Sequence, residues 1–450
     1  MRNSINAIVT FGAFTLYYLI MELFINDYAA FILDAKTVTI LYGVCYLMVG
    51  IGFPLYYLID KAVHNSTISL VIVYCFAFCS LIASGIVSFT GSHRMLILFA
   101  LVAHLSAGYV GGAVYSFIAM KMKGSGKIGF SIAIGYASAN ILQLIAIAIL
   151  SNLTEDIVDW VERSSLLVCM IVTIMLLPRT NAENNIERTS TSSEQNQSAM
   201  KLVCVALSAM ALIAFMHGLT DGIITSLHAA EGEYVAYGYP RLFVIPGLLL
   251  AGIVSDIKNK SIFNFSVLVA MIISLIAILL FYNPVSNNIA TCFVYFFGSF
   301  MSIYSVSVFM EIAPNTTRPV LFASAGRAVR YFCAGISIIA TSILYHQSSL
   351  MALVIIYIAL EIALFAVFFF RGYLQISTEP SQEISTQDFK QYNLTEREGE
   401  VLTLLLQGKA TSDIASELYL SEHTVRSHIS NLLAKTNSKS RVEMITNIKK

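Results

Sequence analysis

The sequence predicts an all-α protein with two parts: a twelve-helix transmembrane bundle over residues 1–372 and a compact four-helix domain over residues 392–450. The first observation is composition: 57% of the 450 residues are hydrophobic and 12% are charged, with a mean hydropathy of +0.74. Soluble domains carry about 25% charged residues. The second is that apolar runs of membrane-crossing length, roughly 20 residues, recur along the first part. The third is an abrupt change to polar composition after Arg371.

Twelve apolar runs are spaced along the first part in two groups of six. They lie at 5–25, 37–59, 67–89, 95–120, 128–150, 164–178, 201–220, 234–255, 261–281, 288–310, 320–344 and 350–371. The polar loop 179–200 separates the first half, 1–178, from the second half, 201–372. The first run lacks the basic start and the small-residue cleavage site of a signal peptide, so we expect a membrane helix there.

Positive charge is divided unevenly between the loops. An even number of crossings puts both termini on one side, and that side carries fourteen Lys and Arg before the tail, against four on the other side. Because loops rich in Lys and Arg stay in the cytoplasm, we expect both termini there. The acidic segment 151–164 is then expected to face outward.

Few residues indicate catalysis or metal binding. All seven cysteines lie in the apolar runs, where Cys commonly serves as a small apolar residue. Cys75 and Cys79 share a helix face but lack further neighbours that could complete a metal site. The segment 121–129 contains a Gly-Lys pair without the upstream Gly and the following Ser or Thr of a phosphate-binding loop. We therefore expect no enzyme activity, no cofactor and no metal.

Two short loops add to the six-plus-six pattern. The loop after the eighth run, GIVSDIKNK, contains Gly252 and Asp256, and the first-half loop YLIDKAVHNS keeps Asp60 and Lys61. With the long polar loop between the halves, residues 1–372 resemble the major facilitator superfamily of transporters. The resemblance implies a central cavity lined by helices 1, 4, 5, 7 and 8.

Ionisable and amide side chains within membrane spans are costly to bury and are therefore candidates for function. Six of them fall in the helices expected to line the cavity. We expect three at the outer mouth and three deeper: Glu22, Asp221 and Arg241, and then His104, Asn140 and Gln143. Such a cavity is expected to bind a small molecule and to shift the bundle between two states.

A purely structural role explains the same residues. Arg241 and Asp221 can form a buried ion pair, and His104 can pack against small residues of its own helix. Those small residues are Gly108, Gly111 and Gly112. The sequence favours neither interpretation for any single residue.

After Arg371 the chain changes character. Residues 373–391 are rich in Ser, Thr, Gln and Glu, which is typical of a linker. Thr395 and Glu398 form a capping box that begins a first helix, and Ser421 is a favoured N-cap for a third. The helices are expected at 396–407, 411–418, 421–435 and 441–448.

The third of these helices is amphipathic. Its apolar side consists of Val425, Ile429, Leu432 and Leu433. Its polar side consists of His423, Ser427, Ser430 and Asn431. Residues 421–450 carry four more basic than acidic residues. Such a helix suits a DNA major groove, because cations hold phosphates and short polar groups reach base edges. The alternative is a solvated helix in a small packing domain.

The segment LTEREGEVLTLLLQGKATSDIASELYLSEHTVRSHISNLLAKTNSKSR resembles the LuxR/GerE-type helix-turn-helix domain over nearly its whole length. The matching residues are Leu394, Thr395, Arg397, Glu398, Glu400, Val401, Leu402, Gly408, Ile414, Ala415, Leu418, Ser421, Thr424, Val425, Arg426, His428, Lys435, Ser440 and Arg441. The chain departs from the pattern at Ser412 and Thr436, where a basic and an apolar residue are usual.

The resemblance implies double-stranded DNA as a partner, a recognition helix at about 421–435 in the major groove, and a homodimer formed through the last helix. The DNA-binding residues that it implies are Thr424, Arg426, Ser427, Ser430, Asn431 and Lys435.

Together these features predict a membrane-embedded, one-component transcriptional regulator of the bacterial cytoplasmic (inner) membrane. Its bundle senses an unknown small-molecule ligand within the lipid bilayer, and its cytoplasmic tail binds promoter DNA. Two alternatives stay open at this stage. One is an active transporter with an appended regulatory tail, and the other is a membrane protein whose tail docks a protein partner.

Overall fold

The computed structural model describes residues 2–444 apart from several short gaps, and it does not describe residues 445–450. These gaps are 64, 88, 90, 151–154, 178–192, 232–238, 281–286, 345–349, 379–391, 393, 407–410, 419, 439 and 442. All regular structure within the described residues is helical. The chain divides into two compact units, Met1–Gly372 and Tyr373–Lys450.

The described residues of the first unit form twelve α-helices, as the sequence predicts. The first half contains α1 Arg2–Ile32, α2 Ala35–Ala62, α3 Ser66–Val87, α4 His93–Lys121, α5 Ile128–Leu150 and α6 Glu155–Leu176. The second half contains α7 Ser193–Glu231, α8 Val244–Ser255 with the preceding 3₁₀ turn Tyr239–Phe243, α9 Lys260–Leu280, α10 Asn287–Ile312, α11 Pro319–Leu344 and α12 Leu350–Thr378.

Nine of the described helices are long and apolar enough to cross a membrane. The other three helices are α6, α8 and α11. Helix α6 begins with acidic residues, α8 has only 12 residues, and α11 contains Arg327 and Arg330. The unit is a multi-pass helical bundle of the kind that the composition predicts.

Three helices extend into segments that the sequence analysis assigned to loops or linker. Helix α6 begins at Glu155, within the expected outer loop 151–164. Acidic residues are favourable in the first turn of a helix because they face the positive end of its dipole, so an acidic stretch alone does not indicate a loop. Helix α7 begins at Ser193, inside the loop 179–200, and α12 continues to Thr378, inside the linker 373–391.

The two halves of the bundle meet along α2 against α11 and along α5 against α8. Glycines permit this close approach. A Cβ on Gly335 of α11 would lie 2.6 Å from the carbonyl oxygen of Gly43 on α2, and a Cβ on Gly252 of α8 would collide with Ala133 on α5. Small residues at such contacts are typical of helix packing in membranes, where dispersion forces replace the hydrophobic effect.

Besides the helix packing, hydrogen bonds to Asp256, at the end of α8, connect the two halves. Its Oδ1 accepts a hydrogen bond from the backbone N–H of Gly129 (2.8 Å), and its Oδ2 accepts one from Phe130 N–H (2.8 Å). These are unpaired amides of the first turn of α5, and a carboxylate there also faces the positive end of the helix dipole. The first-half counterpart, Asp60, instead accepts a hydrogen bond from Ser69 within its own half (2.6 Å).

The second unit contains α13 Glu396–Leu406, α14 Thr411–Glu417 and α15 Glu422–Lys435. The predicted capping box is present: Thr395 N–H donates to Glu398 Oε2 (2.8 Å), and Glu398 N–H donates to Thr395 Oγ1 (3.3 Å). The fully buried side chains that join the three helices form the core of this unit: Val401, Leu402, Leu405, Ile414, Val425, Leu432 and Met444. Most of the predicted fourth helix, 441–448, lies outside the described residues.

Helix α15 is capped at both ends. At its start, Ser421 Oγ accepts from Thr424 N–H (3.1 Å), as predicted. At its end, Asn437 adopts a left-handed conformation (φ 51°), and Ser438 N–H donates to Leu433 O (3.0 Å), a common helix stop. Thr436 is buried, but its hydroxyl donates to Leu432 O (2.7 Å). Thr436, where an apolar residue is usual in the luxR-type pattern, therefore leaves no unsatisfied hydroxyl in the core.

Candidate functional site

The two faces of α15 are separated as the sequence predicts. Val425 and Leu432 are fully buried, with Ile429 and Leu433 packed beside them. The opposite side exposes polar and basic side chains: His423, Arg426, Ser427, Ser430 and Asn431. Four of the six predicted DNA-binding residues lie on this exposed face, Thr424 is half-buried beside the N-cap, and Lys435 is exposed at the helix end.

Arg426 pairs with a carboxylate of its own helix. Its Nη2 donates to Glu422 Oε2 (2.9 Å), and the side chains are 71% and 51% exposed. An exposed pair one helical turn apart contributes only a few tenths of a kcal/mol. The guanidinium can therefore leave Glu422 for a phosphate or a base edge at little cost.

Lys435 has a structural partner that the sequence analysis did not identify. Its Nζ donates to Glu398 Oε2 (2.7 Å), which connects the end of α15 to the capping box of α13. Burial acts to raise the pKa of the Glu398 carboxyl, but the bonds from Lys435 and Thr395 outweigh it and hold this pKa below its usual value. A DNA contact by Lys435 stays a prediction, and this lysine also stabilises the domain.

In the bundle, the three residues predicted at the cavity mouth lie in one electrostatic cluster. Glu22 of α1 interacts electrostatically with Arg241 and, more weakly, with Arg330, and it lies close to the hydroxyl groups of Tyr42 and Tyr46 on α2. All three predicted residues are partly buried.

Asp221 of α7 belongs to the same cluster and has a nearby partner. His217 Nε2 lies 3.4 Å from Asp221 Oδ2, one helical turn away. Asp221 acts electrostatically on the hydroxyl groups of Tyr42, Tyr46 and Tyr295. His217 was not among the predicted site residues, although its spacing of four from Asp221 was a readable signal.

The three residues predicted deeper in the cavity are buried, and each has a backbone partner. His104 Nδ1 lies 2.7 Å from Ala100 O, Asn140 Nδ2 donates to Tyr136 O (2.9 Å), and Gln143 Nε2 donates to Leu19 O (2.9 Å). The ring edge of His104 also meets Tyr18. These backbone bonds give all three residues a structural role.

The glycines of α4 allow neighbouring helices to approach closely. A Cβ on Gly108 would meet the backbone of α2, and one on Gly111 would meet Phe53 and Phe14. Gly112 faces Phe53 and Tyr56. These glycines therefore make room for helices α1 and α2, and the packing of His104 against them stays a prediction.

The most unusual feature of the bundle is an arginine pair that the sequence analysis counted among the cytoplasmic cations. Arg327 and Arg330 lie one turn apart on α11 and are only 3% and 8% exposed. Arg327 Nε donates to Tyr115 Oη (2.9 Å), and its Nη2 donates to Tyr136 Oη (3.3 Å). Without these two buried arginines, twelve of the fourteen Lys and Arg counted on the side of the two termini remain. Only the packing of α11 against α2 and α7 shows this burial, because a cation near the start of an apolar run normally lies at the cytoplasmic surface.

A small cavity adjoins Arg327. Its walls are mostly aromatic and come from both halves: Phe14, Tyr18, Phe53, Tyr115, Tyr136 and Tyr331. The space available to the centre of a water-sized sphere is about 10 Å³, which is roughly the room that one water needs. The bundle is therefore closed around this point.

Known proteins resemble the chain in two separate regions. The profile of the family described as "GerE: Bacterial regulatory proteins, luxR family" matches residues 392–447. Spore germination protein GerE of Bacillus subtilis is 51% identical over 55 residues, 12% of this chain and 74% of that protein. Transcriptional regulatory protein DesR of B. subtilis is 50% identical over 56 residues, and nitrate/nitrite response regulator protein NarP of Escherichia coli is 57% identical over 49 residues. The chain spans only 28% and 23% of those two proteins, and the matches cover 12% and 11% of it.

The bundle has a structural neighbour. The crystal structure of an auto-inhibited POT family peptide transporter superposes with a TM-score of 0.51, over 86% of this chain and 99% of that one, at 9% sequence identity. An identity this low shows a shared transporter-like fold and nothing about substrate. The proteins named above are described as a spore germination protein, two response or transcriptional regulators and a peptide transporter.

Proposed function

Because the chain belongs to the luxR family of bacterial regulatory proteins, we propose that it is a membrane-embedded, one-component transcriptional regulator. The observation that carries the proposal is the exposed polar and basic face of α15, in a luxR-type domain on the same chain as a transporter-like bundle. The bundle senses a small molecule, and the tail binds promoter DNA.

In this proposal α15 lies in the major groove. Arg426 and Ser427 contact base edges or phosphates near the start of the helix, and Ser430 and Asn431 lie further along the groove. Thr424 and Lys435 complete the contact set. The protein acts as a homodimer, so its binding site is a pair of related half-sites.

The proposed location is the bacterial cytoplasmic membrane with both termini in the cytoplasm. The luxR-type domain needs access to the chromosome, and the remaining loop cations favour the same side: twelve Lys and Arg against four. Cysteine substitutions at exposed loop positions, labelled from outside intact cells, test this orientation.

The sensing part of the proposal uses the predicted cavity residues, with Glu22, Asp221 and Arg241 at the mouth and His104, Asn140 and Gln143 deeper. A ligand that binds one state of the bundle more tightly shifts the population toward that state. Arg241→Ala is expected to abolish the response of a reporter gene to ligand while DNA binding persists. An unchanged dose response would remove Arg241 from the site.

The direct test of DNA binding uses the full chain in lipid nanodiscs and a library of genomic fragments. We expect enrichment of a discrete, roughly palindromic site, with an affinity that falls steeply as salt rises because phosphate contacts release counterions. Sequence-blind binding, or binding insensitive to salt, would contradict the proposal and favour a tail that docks a protein.

One observation favours a second function. The transporter-like fold covers 86% of the chain, which is compatible with an active transporter that carries a regulatory tail. Counterflow uptake in proteoliposomes separates the two: a sensor binds its ligand without net exchange, whereas a transporter exchanges it across the vesicle membrane.

A further inference from the structure

We propose that the ligand of the bundle is a small anion, and that Arg327 and Thr15 hold its charged group while Arg330, one turn away, adds its positive charge. This inference rests on the proposed sensing function and names the chemical class of the ligand. It starts from the arginine pair on α11, which adds two positive charges to a deeply buried place between the two halves.

The pair lacks the negative partners that buried charges need. Within the described part of the chain, neither guanidinium has a carboxylate at ion-pair distance, and the Nη1 atoms of both arginines have no hydrogen-bond partner. Glu22 acts on Arg330 only at longer range, and its stronger partner is Arg241. An uncompensated buried charge is strongly destabilising, and an anion in the cavity beside Arg327 would compensate it.

The immediate neighbours of the pair are rings and hydroxyls. The Arg327 guanidinium carbon lies 5.4 Å from the ring centroids of Tyr136 and Tyr331, and that of Arg330 lies 5.7 Å from Tyr331. Ring faces attract cations but leave donor positions free. Two guanidinium groups one turn apart, with free N–H groups, are suited to a carboxylate or another small oxyanion.

Thr15 of α1 supplies an independent observation in the same cavity. Its side chain is 4% exposed, it lines the same cavity as Arg327, and its hydroxyl has no partner among the described residues. A helical threonine ordinarily donates to the carbonyl four residues earlier. Thr10, on the same helix, does so with Asn6 O (2.7 Å). The unpaired hydroxyl of Thr15 is therefore a further donor available to an anion.

The size of the cavity connects the anion to the regulatory step. In this closed bundle it has room for about one water, so an anion larger than water binds only when the walls from the two halves move apart. Binding therefore selects a wider state of the bundle, which is the two-state shift that a sensor requires.

The test measures thermal unfolding of the purified full chain in nanodiscs, with chloride held constant. The probes are sodium formate, sodium acetate and sodium benzoate, each compared with its uncharged amide: formamide, acetamide and benzamide. We expect at least one carboxylate to raise the unfolding temperature in a saturable way and its amide to have no effect. No saturable shift with any of the three carboxylates would overturn the proposal.

Two matched pairs of variants locate the effect. Arg327→Gln removes a buried guanidinium, whereas Arg318→Gln removes an exposed one just before α11. Thr15→Val removes the unpaired hydroxyl, whereas Thr10→Val removes one satisfied by its own helix. We expect the half-saturating carboxylate concentration to rise about tenfold or more for the first member of each pair and to stay unchanged for the second.

Equal effects within both pairs would also overturn the proposal. Arg327→Lys, which keeps the charge but loses the planar fork, serves if Arg327→Gln does not fold, and it is expected to weaken binding without abolishing it. The measurement involves no DNA, so a failure here leaves the proposed DNA binding intact. Conversely, a failed fragment selection leaves the anion site standing.

Discussion

The two units of this protein treat their cations in opposite ways. In the tail, basic side chains lie at the surface and pair with carboxylates: Arg426 with Glu422, and Arg397 with Glu400 (2.6 Å). In the bundle, Arg327 and Arg330 are buried against tyrosines, with donor atoms left unpaired.

The difference shows what each unit can do with an anion. A cation in an exposed, weakly held pair exchanges its partner easily, which suits a surface that meets the many phosphates of DNA. A buried arginine that keeps an unpaired N–H is suited to one anion held in a fixed geometry. The tail is thus suited to many exchangeable contacts, whereas we propose that the bundle makes one specific contact.

The largest expected effect is on the stability of the bundle, and it comes from removing the charged side chain of Asp256. Asp256→Ala removes both hydrogen bonds to the start of α5, and a hydrogen bond to a charged group contributes about 1.5–3 kcal/mol. We expect the bundle to lose about 3 kcal/mol or more, seen as a lower unfolding temperature. Asp60→Ala, which removes one bond within a half, is the control. Equal losses for both variants would mean that Asp256 does not join the halves.

The next effect tests an exchangeable charge of the tail. Arg426→Ala is expected to weaken binding to the selected DNA site about tenfold to a hundredfold. Arg397→Ala removes an equally charged, exposed and paired arginine from α13 and is expected to change the affinity little. Fluorescence anisotropy over a salt series measures both. A similar loss in the two variants would indicate a general charge effect instead of a contact by α15.

A smaller effect concerns Glu398. Among the described residues of the tail it is the one buried carboxylate, so it is an exception to the rule that charges of the tail lie at the surface. Because the pKa of its carboxyl is lowered in the folded state, its stabilising contribution is present above its usual pKa, about 4.3. The contribution is lost as pH falls through the lowered folded value.

Glu398→Gln should therefore cost about 1 kcal/mol near neutral pH, by loss of the cap and the Lys435 bond, and remove that part of the acid sensitivity. Chemical unfolding of the tail from pH 7 to pH 3 measures both. Parallel pH curves for the two proteins would contradict this role.

The smallest effect should come from Glu422→Gln, which breaks the exposed pair of Arg426. We expect a stability change within about 0.5 kcal/mol. DNA affinity should rise a few-fold, because the arginine is released and a negative charge leaves the DNA-facing helix. A loss of stability above 1 kcal/mol would show that the pair is not exchangeable.

Much of the tail could be predicted from sequence because its signals are local. The capping box at Thr395 and the N-cap at Ser421 each involve residues three apart, and the apolar face of α15 repeats at helical spacing. The bond between Lys435 and Glu398 was not predictable in the same way. The two residues are 37 positions apart in the sequence and lie on different helices. No pattern within one helix indicates such a bond.

The bundle shows the limit of counting charges. Arg327 lies near the start of the run 320–344, where a cation is normally at the cytoplasmic surface, and only the packing of α11 against α2 and α7 shows that it is buried. The cluster of Glu22 with Arg241 was predictable because charged residues within spans are rare. The unpaired hydroxyl of Thr15 was not, because its sequence context resembles that of Thr10.

The bond between Asp256 and the start of α5 has a consequence for how relatives of this protein should vary. Its acceptors are side-chain oxygens, but its donors are main-chain amides, which every residue except proline possesses. Substitutions at position 130 therefore leave the bond intact, and no compensating change at position 256 is required. At position 129 a Cβ would collide with Ser255 Oγ, so a larger residue there requires the Ser255 side chain to move. Statistical methods that infer contacts from correlated substitutions would not detect this junction between the two halves.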